Sequence, residues 1–97
     1  MDQIINSNIP APTFDIASGK YAQSQIIEIT STNEAEIFYS CDGNFPDKKY
    51  FGPVFINANC NFKAASKIKN EFSVVSEIKI EIEKNYAAVK GYTIVIG

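Results

Sequence analysis

The chain contains no leucine, arginine, histidine or tryptophan. Each absence closes a line of chemistry. Without histidine there is no imidazole to act as a general base near neutral pH or to ligate a metal. Without arginine there is no planar fork for bidentate binding of phosphate or carboxylate. The missing leucine, set against abundant isoleucine, asparagine and lysine, reads first as a biased coding composition. Its physical consequence is a core of Ile, Val, Phe and Tyr, which suits a pleated strand better than a helix, where β-branching costs side-chain freedom. Cysteine is scarce as well. Cys41 and Cys60 stand alone with no CxxC spacing, so they do not read as a zinc site.

Positive charge is equally thin. Nine Lys against eleven Asp plus Glu leave a net charge of -2, and the lysines are scattered singly apart from Lys48 and Lys49. A nucleic-acid surface needs a basic patch, so that class of partner is not expected. No segment reaches the roughly 20 apolar residues of a membrane span. The opening residues, MDQIINSNIPAP, have neither the basic start nor the apolar run of a signal peptide. No motif calls for a cofactor. Apolar residues make up 45% of the 97, which suits one globular domain with a single core but leaves no room for a substrate-sized cleft beside it.

What is there is alternation. Residues 1–10 are polar and Asn-rich and read as a linker. Pro10 and Pro12 bias their predecessors to extended backbone and suit an edge strand carrying Phe14. Ala17 to Tyr21 reads as a turn from Ser18 and Gly19. From Gln23 to Ser31 one face carries Gln25, Ile27 and Ile29. After a return at Asn33 and Glu34, the row Ala35, Ile37, Tyr39 and Cys41 points inward, opposed by Glu36, Phe38 and Ser40. Asp42, Gly43 and Asn44 are the strongest turn signal in the chain, and Pro46 stops any continuation. Residues 47–53 form a loop or short crossing strand. Val54 and Ile56 then flank Phe55, and Phe62, Ala64, Ser66 and Ile68 alternate again. A last strand, expected to be the longest, keeps period two through Phe72, Val74, Ser76, Ile78, Ile80 and Ile82. Its other face carries Glu77, Lys79, Glu81 and Glu83, a charge pattern that discourages edge-to-edge pairing.

No stretch holds a 3.6-residue apolar period, so no long helix is expected. About seven short antiparallel strands at this turn spacing predict an all-β fold, and the size suits an immunoglobulin-like β-sandwich over residues 11–84. Residues 85–97, with their apolar TIVI run, read as an extra strand or the lead into a following domain.

The order Pro12, Phe14, Gly19, Tyr21, Ile27, Ile29, Ala35, Ile37, then Tyr39, Ser40, Asp42, Gly43 and Pro46, then Tyr50, Pro53, Ile56, Phe62, Lys63, Ala64 and Ser76 resembles the chitobiase/β-hexosaminidase C-terminal domain family. That family's Tyr-Thr-x-Asp-Gly-x-x-Pro motif stands here as Tyr39 to Pro46, with Ser40 in place of Thr. Two departures stand out: a shorter loop after Pro46, and Phe45 at a position that is commonly small or polar. The resemblance implies an immunoglobulin-like accessory module without catalytic residues of its own, set beside glycoside hydrolase domains in a larger bacterial enzyme or surface protein.

The candidate residues divide accordingly. Asp42, Gly43 and Pro46 read as a structural turn, Asp42 accepting amides near Asn44; a lone acid cannot run glycoside hydrolysis, which uses a carboxyl pair. Calcium ligation by Asp42 and Asp47 lacks the six to eight oxygens that such a site takes. Phe45, Tyr50 and Phe51 are the ligand-binding candidates, either as a platform that stacks on sugar rings or as half-buried loop anchors. In an immunoglobulin-like order Cys41 and Cys60 fall on paired strands facing the core, either bridged by a disulfide or present as two buried thiols. The expected role is a non-catalytic accessory module, not an enzyme, in a larger secreted or cell-surface bacterial protein. Its expected partners are neighbouring domains of the same polypeptide. The alternatives are a carbohydrate-binding module using the loop aromatics, or an adhesion or assembly module.

Overall fold

The computed structural model describes residues 4–83, and every regular element within them is a strand. The order is β1 (Ile4–Ile5), β2 (Thr13–Phe14), β3 (Gly19–Tyr21), β4 (Gln25–Ile27), β5 (Ile29–Thr30), β6 (Glu36–Ser40), β7 (Lys48–Lys49), β8 (Val54–Ile56), β9 (Cys60–Ile68), β10 (Glu71–Phe72) and β11 (Ser76–Ile82). The longest is β9, with 9 residues, rather than the final strand with 7.

β9 is the centre of the larger layer. One of its edges takes β6, from Glu36 opposite Lys67 to Ser40 opposite Lys63. The other edge takes β10 and then β11, both antiparallel. β7 pairs beyond β6, and on the far side β1 and β3 run parallel to β10 and β11. The smaller layer is built on the nearly continuous segment 25–30, where β4 pairs with β8 and β5 with β2. The inward rows meet in a core of Ile27, Ile29 and Ile56 from the smaller layer and Phe62, Ala64 and Ile80 from the larger. Burying a side chain the size of Phe62 or Ile27 contributes roughly 1.5–3 kcal/mol. Phe62 meets Phe14 edge-on at 5.4 Å and lies against the Tyr39 ring at 5.6 Å, so it fastens β2 and β6 to the same centre. The arrangement is an all-β, immunoglobulin-like sandwich.

The structure corrects three local expectations. Gly19 to Tyr21, expected as part of a turn, form β3, because β11 offers an open edge that local composition cannot reveal. Lys79 N donates to Ser18 Oγ at 3.0 Å and Glu83 N to Tyr21 O at 2.7 Å, fixing both ends of the pairing. Ile4 and Ile5, inside the stretch read as a linker, form β1, held by Asn6 N donating to Phe72 O at 2.7 Å and Asn6 Nδ2 to Glu71 Oε1 at 2.8 Å.

The third correction concerns the expected continuous strand from Phe72 to Ile82. Phe72 lies opposite Lys67, and Ser76 lies opposite Ala64. Four steps along this strand therefore match three along β9, which is the signature of one extra residue, a β-bulge. The extra residue inverts the faces. Phe72 leaves the core row for the outer face of the larger layer, and Val74 is exposed while Ser73 is buried. Ser73 makes the bulge stable, its Oγ accepting from Ser66 N at 2.9 Å and its own N donating to Ser66 O at 2.8 Å.

Candidate functional site

The turn after β6 is closed by its own residues. Gly43 has φ 84, a conformation that favours glycine. Asn44 N donates to Asp42 Oδ1 at 3.1 Å, and Ser40 Oγ donates to Asn44 O at 2.6 Å. Pro46 is fully buried at the exit. The bonds from Asn44, backbone first, hold the Asp42 carboxyl below the usual carboxylate range. A general acid for glycoside cleavage must hold its proton near neutral pH, so Asp42 is set for the opposite state.

Beside this turn lies a shallow cavity of about 510 Å³, lined by Cys41, Asp42, Cys60, Asn61, Lys79 and Glu81 among others. Cys41 and Cys60 are free thiols that line this cavity together. Burial, partly offset by Lys48, raises the Cys41 thiol. Burial first, and then Cys41, pushes Cys60 up to about 11. Among the described residues no three His, Cys, Asp or Glu side chains are grouped so as to hold a metal ion.

The structure does not bring Phe45, Tyr50 and Phe51 together. Phe45 is half-buried on the outer face of the larger layer, edge-on to Phe72 at 5.0 Å; Phe38 meets the same ring at 6.1 Å. Lys67 Nζ covers the cluster, 5.4 Å from the Phe38 ring and 5.5 Å from that of Phe72. The bulge is what delivers Phe72 to this face and so gives Phe45 its neighbour. Tyr50 points the other way. Its ring meets Tyr39 at 6.5 Å, and its hydroxyl accepts from Ile29 N at 3.1 Å, tying the loop to the smaller layer.

Phe51 alone of the three stands in solvent, 87% exposed. It shares a shallow cleft of about 550 Å³ with Lys49, Gly52, Pro53 and Phe55. Phe55 is 62% exposed and lies directly opposite Ile26, itself 58% exposed, across the β4 and β8 pair. Sequence reasoning left Phe55 and Ile26 out of the candidate set. The signal was available in Phe55, whose neighbours Val54 and Ile56 take the inward row and leave the phenyl ring outside.

These features first define a class: an immunoglobulin-like sandwich whose acid-bearing turn is satisfied internally and whose exposed aromatics Phe51 and Phe55 share a shallow cleft. The chain matches the model of the chitobiase/beta-hexosaminidase C-terminal domain over residues 16–77, more than half of its length, and belongs to that family. The family forms the C-terminal accessory part of carbohydrate-active proteins. No curated protein and no solved structure matches the chain.

Proposed function

We propose that this domain is a non-catalytic accessory module that spaces or positions carbohydrate-active domains within a larger secreted or cell-surface bacterial polypeptide. The observation that carries this reading is the family match across the sandwich. The chemistry of the turn supports it: the Asp42 carboxylate is occupied by the Asn44 amide and held ionised, and histidine and arginine are missing from the whole chain. Neighbouring domains of the same polypeptide are the expected partners. Among the described residues no helix is long and apolar enough to cross a membrane. The TIVI run of the assembly alternative lies outside the described residues.

The test is direct. The isolated chain, assayed against chromogenic β-N-acetylhexosaminides and β-glucosides, is expected to give no turnover above buffer. Turnover that tracks the purified domain and is lost in Asp42→Asn would overturn the reading.

A further inference from the structure

We propose that the cleft between Phe51 and Phe55, continued by Ile26, is a binding site for neutral β-linked pyranose chains. The accessory-module reading supplies its context, but the site stands on its own residues. Three large apolar side chains, Phe51, Phe55 and Ile26, are each more than half exposed, and exposed apolar groups that gather in a patch mark an interaction surface. Phe55 and Ile26 are register partners, while Phe55 and Phe51 line the same cleft. The result is a continuous apolar strip. Lys49 Nζ lies 5.7 Å from the centre of the Phe51 ring; with that side chain 87% exposed, the opposite face of the ring is open.

The rim decides what kind of molecule fits. Lys49 Nζ is paired with Glu36 Oε2 at 3.2 Å, and both side chains remain about half exposed. An apolar protein surface pressed onto the strip would strip water from this ion pair and give little in return. A sugar ring presents both chemistries at once. In gluco-configured β-pyranoses the hydroxyls are equatorial, so the axial C–H bonds form flat apolar faces that lie on an aromatic ring, while the hydroxyl edge offers donors and acceptors to a carboxylate and an ammonium. The pair carries no net charge, which gives an anionic polysaccharide no advantage. A strip running from Phe51 through Phe55 to Ile26 exceeds a single ring and suits a chain of them.

The experiment is a titration of the 15N-labelled chain with cellohexaose and with hexa-N-acetylchitohexaose, with polygalacturonate as the anionic control. The expected result is amide shifts clustered at residues 49–55 and at Ile26 with one or both neutral glycans. Phe51→Ala and Phe55→Ala should each weaken binding by about tenfold or more, and Phe45→Ala should leave it unchanged. Both positions are exposed, so truncation is expected to leave the fold intact, which the thermal midpoint checks. Absence of shifts with either neutral glycan at about 10 mM overturns the proposal. So does full binding by Phe51→Ala, or stronger shifts with polygalacturonate. Self-association on concentration that Phe51→Ala abolishes, with no glycan shifts, would assign the strip to a second copy instead. None of these outcomes touches the turnover assay, so failure of the site and failure of the accessory reading are distinguishable.

Discussion

Cys60 shows how far burial can change the chemistry of a single side chain. A Cys60 thiol raised from its ordinary 9.0 to about 11 holds about a hundredfold less thiolate at pH 8 than an unperturbed one, and thiolate is the reactive form. Alkylation by iodoacetamide at pH 8, followed by mass, is therefore expected to be slow in the folded chain and to accelerate by about that factor in urea. The folded value lies above the unfolded one. The contribution to stability is thus complete below pH 9.0 and is lost as pH rises through the folded value near 11. The two thiols line one cavity and immediately precede the bridged pair Asp42 and Asn61, which places them for joining. Under oxidised glutathione the expected product is an intramolecular disulfide, with both thiol protons lost and two glutathiones released. The bridge should stabilise the domain by about 3 kcal/mol, read as a shift in the urea midpoint. Accumulation of the mixed glutathione adduct instead would count against that placement.

At the level of the element, the bulge between β10 and β11 has the widest consequences. It rests on Ser73, whose Oγ is the acceptor for the buried Ser66 N. Ser73→Ala leaves that amide unsatisfied and should cost about 1–3 kcal/mol in a urea titration, with the largest amide shifts around Phe72 and Phe45. Equal stability of the variant would mean that the register step is held by something else. The same element explains where sequence reading stopped. Alternation identifies which residues of Ser76 to Ile82 face inward, since period two is a local property. It cannot show that one residue between Phe72 and Ser76 is unpaired, because an insertion is defined only against the partner strand. Phe45 was illegible for the same reason: the ring it packs on is Phe72, brought to that face by the bulge.

For the molecule as a whole, Phe62 is the point at which the layers are held together. It is fully buried and touches Phe14 and Tyr39. Phe62→Ala should cost about 3–5 kcal/mol, a large share of the 5–15 kcal/mol typical of a small domain, and should lower the thermal midpoint steeply or prevent folding. An unchanged midpoint would show that the layers are joined elsewhere. The sequence by itself determined the all-β class, the turn at Asp42 to Asn44 and most of the inward rows, because side-chain alternation, turn residues and prolines act over a few residues. It also determined, by what it omits, that imidazole and guanidinium chemistry are absent. Only the tertiary structure decided that Gly19 to Tyr21 would pair with β11, and that Phe45 would be covered while Phe51 and Phe55 share an open cleft. Each of these depends on partners distant in sequence, and such contacts exist only once the two layers have closed on each other.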